Sequence, residues 1–172
     1  MVRLILLIPF MIMTGTSVVH AQSTFPEDTR TVESTIQALY AVISGEPGVP
    51  RDWQRFKNLF GPEARLIPTR KDKTGEFYYE AISPDQYIQL FTSRIATGFY
   101  ERELSNRTES YGTITHVFST YETRDTQAGP VTNRGINSIQ LFKANNRYYI
   151  VTIFWCAESM GFELPQRYLS KP

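Results

Sequence analysis

Glu101, Glu103 and His116 are the side chains whose types and spacing could move a proton. The two glutamates lie two apart in a segment that reads as a strand, so they share one face. A tight turn at Tyr111-Gly112 sets Glu103 near Thr120 and Arg107 near His116 on the following strand. A carboxylate beside an imidazole forms an acid–base pair able to shift a proton on a bound carbonyl compound. This register leaves Glu103 about two residue pairs from His116, so direct contact requires a bulge or a bent sheet. In the bland alternative, Glu101, Arg102, Glu103, Arg107 and Glu109 form a solvated charge ladder and His116 is a hydrogen-bonded sheet residue.

The remaining inventory excludes more than it suggests. Cys156 is the only cysteine, so an internal disulfide and a cysteine-cluster metal site are both ruled out. It ends an apolar run and reads as a buried thiol. A zinc or iron site would have only His116 and carboxylates at its disposal, without ligand spacing, and no metal or cofactor is expected. No glycine-rich phosphate loop or nucleophile elbow is present. Asn106-Arg107-Thr108 has the form of a glycosylation acceptor.

These residues need elements to hold them. Val32, Ile36, Leu39, Tyr40 and Ile43 fall on one apolar stripe between the acidic Glu27-Asp28 and Gly45, which predicts a helix over 28–44. Trp53, Phe56, Leu59 and Phe60 predict a short second helix ending at Gly61-Pro62. Ser83-Pro84-Asp85-Gln86 combines an N-cap serine, a proline at the first helical position and a glutamine completing a capping box, and so opens a third. Its buried stripe is Tyr87, Ile88, Phe91 and Ile95. Between the second and third helices, 64–69 and 76–80 read as two short strands. From Gly98 onward the pattern is β: 99–110, 113–124, 134–143 and 147–156, the last two joined at Asn145-Asn146, which tolerates the positive φ of a tight hairpin turn. The class is α+β, a strongly bent antiparallel sheet wrapped around three N-terminal or interleaved helices.

The first 21 residues read as a secretory signal peptide: a basic start at Arg3, a short apolar core from Leu4 to Met13, and small residues before a cut after Ala21. The core is too short for a stable membrane span, which needs roughly 20 apolar residues. Cleavage removes Arg3 and balances basic and acidic side chains at 17 each. It also leaves His116 as the sole histidine. Such a chain has no net field to gather nucleic acid or anionic membrane. The expected product is a secreted or periplasmic protein with a flexible start at 22–27, one domain at 28–158 and a tail at 159–172.

An Asn145-Asn146 turn pairs Ala144 with Arg147 and places Asn137 beside Phe154 and Ile139 beside Thr152 on one face. The other face carries Ile136, Trp155, Ile153 and Phe142. Both faces are apolar, so both need a cover, and the helices can supply only one. A homodimer through the outer sheet face is the economical second cover. The alternative is a C-terminal tail folded back with Phe162, Leu164 and Tyr168.

The element order, the Trp53–Phe60 helix, the capped Ser83 helix and the segments 116–122 and 134–142 together resemble the nuclear transport factor 2-like superfamily over roughly residues 28–158. The resemblance implies a cone-shaped, cystatin-like fold with a pocket, usually dimerised through sheet faces. It implies no single activity, because such relatives include ketosteroid isomerases, scytalone dehydratases, polyketide cyclases and transport adaptors. The expected function is binding of a small, largely apolar molecule in the pocket, with Tyr40, Trp53, Asn137, Thr152, Phe154 and His116 around it. The competing expectations are a cofactor-free isomerase, dehydratase or cyclase using His116 with Glu101 or Glu103, and a protein-interaction module whose pocket is filled by side chains.

Overall fold

The computed structural model describes residues 25–94 and 97–170. The expected signal segment and Ile95 lie outside them. A turn of 3-10 helix at Glu27–Thr29 leads into α1 (Val32–Ile43). The helix starts later than the acidic pair suggested, because Thr31 and Ser34 form the capping box that sets its first turn. Asp28 instead holds the Arg55 guanidinium at 2.7 and 2.9 Å, tying the entry of α1 to α2 (Trp53–Asn58). After β1 (Phe60–Lys71) and β2 (Phe77–Tyr79), the Ser83 signature does what its residues allow. Gln86 Oε1 accepts from the Ser83 amide at 2.8 Å and Ser83 Oγ accepts from the Gln86 amide at 3.2 Å, opening α3 (Pro84–Arg94).

The later strands are β3 (Tyr100–Tyr111), β4 (Ile114–Arg124), β5 (Val131–Ala144) and β6 (Arg147–Ala157). They join one six-stranded sheet in the order β2-β1-β6-β5-β4-β3. The sheet is mixed rather than wholly antiparallel, since β1 runs parallel to β6. Ile36, Leu39 and Ile43 of α1, Phe56 and Leu59 near α2, and Val117, Ile139, Leu141 and Ile150 of the sheet form the core on the inner face. Among the described residues no helix is long and apolar enough to cross a membrane.

Two bulges decide which residues face inward. The Asn145-Asn146 turn has φ of 50° and 59° and pairs Ala144 with Arg147 as expected, but the register shifts between Gln140 and Leu141. One extra residue, Val151, then enters β6, and every later side chain changes face relative to the simple count. Asn137 therefore sits opposite Trp155 and Ile139 opposite Ile153. Between β3 and β4 the turn falls at Gly112-Thr113, with Tyr111 paired to Ile114, so His116 faces Glu109 rather than Arg107; a second shift between Glu103 and Ser105 then pairs Glu103 with Tyr121 rather than Thr120.

The C-terminal segment returns across the outer face. The Ser105 hydroxyl donates to the Tyr168 carbonyl, Arg107 donates to the Arg167 carbonyl at 2.8 Å, and the Phe118 and Tyr168 rings meet at 5.2 Å. This is the folded-back alternative, and it leaves Ser105 and Thr120 buried on that face. Ile114, Phe142 and Val151 stay exposed, and Phe154 is 42% exposed in a groove it shares with the tail residues Phe162 and Leu164.

Candidate functional site

The inner face of the sheet and the three helices enclose a cavity of about 410 Å³. Its apolar wall comes from Leu39 and Ile43 of α1, Phe56 of α2, Leu90 and Phe91 of α3, and Ile153 and Trp155 of β6. Set into it are Glu101, Asn137, Tyr87 and Tyr121, with Arg70, Thr123, Asn133 and Ser159 also on its lining. Tyr121 lies across β5 because the residue opposite it is Gly135. A β-carbon there would stand 2.5 Å from the phenol oxygen.

A directed chain of hydrogen bonds backs the site. Asn106 Nδ2 and Ser119 Oγ donate to the two oxygens of Glu103 at 2.9 and 2.6 Å. The single Ser119 proton is thus committed, so at the 2.7 Å contact with Tyr40 the phenol is the donor. Tyr40 Oη in turn accepts from Asn137 Nδ2 at 3.1 Å. Tyr40, Ser119 and Asn137 are all buried, which makes each partner obligatory. The chain fixes the Asn137 amide, whose NH2 group also favours the Glu101 carboxylate.

Glu101 is the electrostatic centre. Burial pushes its carboxyl up from the ordinary 4.5 to about 8, against a smaller opposing influence from Asn137. A cavity-facing carboxyl keeps some accessible area but loses bulk water, and among the described residues no cation stands close enough to replace it. Burial also raises the phenols of Tyr40, Tyr87 and Tyr121, with the nearby Glu101 charge adding to each. At neutral pH the site therefore presents a neutral carboxylic acid among neutral phenols. An O–H held in an apolar cavity can donate to a carbonyl oxygen, and a group titrating near 8 can exchange that proton.

The residues named from the sequence divide between the two faces. Glu101 and Asn137 line the cavity, and Tyr40 stands directly behind Asn137. Trp53 supports the wall from outside, meeting Phe56 at 5.7 Å and Phe91 at 5.5 Å. Glu103 shares the inner face but serves the hydrogen-bond chain. His116 is on the outer face, where Nε2 meets Ser138 Oγ at 3.0 Å. The imagined pairing of His116 with Glu101 or Glu103 is corrected accordingly: alternate residues of β4 point to opposite faces, and Ser119 and Tyr121 have the inner one. Thr152 and Phe154 are likewise moved to the outer face by the Val151 bulge, and Phe154 is 42% exposed. Tyr121 and Arg70 were not singled out in the sequence. Inner-row alternation from Ser119 would have found Tyr121, and from Leu66 would have found Arg70.

Among the described residues, no group of three His, Cys, Asp or Glu side chains could hold a metal ion. No family model matches the chain, and no curated protein does. Solved structures match it over most of its length. One is a protein of unknown function with a cystatin-like fold from Nostoc punctiforme, 11% identical over 74% of this chain and 92% of that one, with a TM-score of 0.55. The chain has a cystatin-like fold. A putative calcium/calmodulin-dependent protein kinase II association domain from Xanthomonas campestris is 12% identical, covering 78% of this chain and 86% of that one at a TM-score of 0.55. A protein of unknown function from Mycobacterium tuberculosis is 12% identical over 73% and 69%, at 0.56. This is the fold that the resemblance to the nuclear transport factor 2-like superfamily implied, and at such identities the likeness stops at the fold.

Proposed function

We propose that this cystatin-like domain acts outside the cytoplasm as a binding protein for a small, largely apolar molecule bearing a carbonyl or similar acceptor. The observation that carries the reading is Glu101, a carboxylic acid held neutral in an apolar cavity large enough for such a ligand. Its O–H donates to the acceptor, Asn137 holds it in place, and the aromatic wall buries the apolar body. The expected homodimer would use the part of the outer face that the tail leaves bare, around Ile114, Phe142 and Val151. Native mass spectrometry of the mature chain tests that assembly: a dimer supports it and a clean monomer removes it.

The second reading is cofactor-free proton transfer by Glu101 alone, favoured by a carboxyl pushed up to about 8. Two substitutions separate the readings, with methyl octyl ketone as the probe. Glu101→Gln keeps a donor and retains binding within about threefold, whereas Glu101→Leu removes it and weakens binding about tenfold. Wild-type affinity falls above pH 8 as the donor ionises, and the glutamine variant is flat. A proton-transfer enzyme would instead lose exchange of the ketone α-hydrogens for deuterium in both variants. Affinity indifferent to Glu101→Leu removes the first reading, and exchange that is absent in the wild type or survives both substitutions removes the second.

A further inference from the structure

Among the described residues, Arg70 and Glu101 are the only acidic or basic side chains lining the cavity. With Glu101 protonated, the charge on the lining is that of Arg70, whose ion-pair partner Glu80 lies off the lining. Arg70 is also incompletely satisfied. Its Nε is buried and makes no hydrogen bond, and its ion pair is a loose one: Glu80 Oε2 stands 3.6 Å from that same nitrogen, on a side chain that is 56% exposed. A buried N–H whose one acid partner is distant and solvent-exposed can take a better acceptor, and a planar carboxylate fits the guanidinium fork with two parallel bonds. The arginine continues the inward row of β1 past Leu66 and Pro68, while Glu101 is on β3. The strand order places four steps between them, about 19 Å along the sheet and less across its concave face. Between these poles the wall is aromatic and aliphatic.

We propose that the ligand is an amphipathic monocarboxylic acid, bound with its carboxylate on Arg70, its apolar body against the aromatic wall and a carbonyl group toward Glu101. This deepens the binding function proposed above and rests on it. One guanidinium, with no lysine and no second arginine on the lining among the described residues, matches a monoanion rather than a phosphate ester. A neutral acid at the opposite pole avoids repelling the ligand's own charge.

The probes are a medium-chain oxodecanoic acid with its ketone on the penultimate carbon, and the methyl ester of that acid, which removes the charge and adds one methyl group. Titration calorimetry at pH 6.5 on the mature chain should give an affinity for the acid about tenfold or more above that for the ester. Arg70→Met should bring the acid down to the level of the ester and leave the ester unchanged, and Arg70→Lys should keep part of the preference. Glu80→Gln, on an exposed side chain remote from the core, should raise acid affinity by freeing the guanidinium. Equal binding of acid and ester to the wild type, or a preference that survives Arg70→Met, overturns the carboxylate assignment while leaving the cavity's binding role intact. Binding of neither probe overturns both.

Discussion

Glu101 and Glu122 occupy neighbouring strands of one sheet, face opposite ways, and are driven in opposite directions. Glu101 looks into the cavity, where burial outweighs the help of Asn137 and the carboxyl rises to about 8. Glu122 looks outward and its side chain is only 7% exposed, so burial acts on it as well. There, however, Arg102 and Arg124 reach Oε1 at 2.7 and 2.8 Å, and their hydrogen bonds and charges hold the carboxyl below its ordinary range. Arg102 even follows Glu101 in the chain and lies opposite Glu122 in the ladder. Burial creates the pressure on an acid, and the presence of a cation decides whether it resolves as protonation or as an ion pair. The inner face thus keeps a proton donor, and the outer face keeps a structural ion cluster.

The largest expected effect breaks the inner half of this comparison. Between pH 4.5 and about 8 the native state holds a proton on Glu101 that the unfolded chain has released, so rising pH favours unfolding across that window. Replacement by glutamine should remove this slope, and at pH 8.5 the variant should be more stable by on the order of a few kcal/mol, read by urea unfolding across pH. A wild-type curve parallel to that of Glu101→Gln would show the carboxyl to be ordinary.

Glu122→Gln tests the outer half and has the opposite pH sign. The folded carboxyl titrates below the unfolded 4.5, so its contribution is present above that pH and disappears as pH falls through the lowered value. At pH 7 the loss should be about 2 kcal/mol, less than for a fully buried pair because Arg102 is 66% exposed. Equal stability of variant and wild type at pH 7 would mean that solvent already satisfies both arginines.

The smallest effect sharpens the separation of the faces. His116→Gln should cost less than about 1 kcal/mol, the scale of its one half-buried hydrogen bond to Ser138, and should leave ketone affinity unchanged. A loss of binding at the cavity would mean that the two faces communicate through β4.

Local chemistry made several elements legible before any coordinates. Ser83 and Gln86 satisfy each other's amides over three residues, and consecutive asparagines accept the turn's positive φ, so neighbours along the chain suffice to specify both. The candidate site was legible only in part. Asn137 and Glu101 follow from alternation on β5 and β3, whereas Thr152 and Phe154 were lost to one inserted residue, Val151, whose presence as a bulge depends on how β6 meets both β5 and β1.

By itself the sequence determined the class of elements, the caps and turns that bound them, and an inventory too sparse in cysteine and histidine for a disulfide or cluster-metal site. Only the tertiary structure decided that Glu101 is protonated while Glu122 is paired, that His116 stands apart from both cavity-side acids, and that Arg70 shares a cavity with Glu101 across four strand steps. The reason is that caps and turns are sums over adjacent residues, whereas a pKa, a facing direction after a bulge and a shared cavity depend on groups brought together from distant parts of the chain.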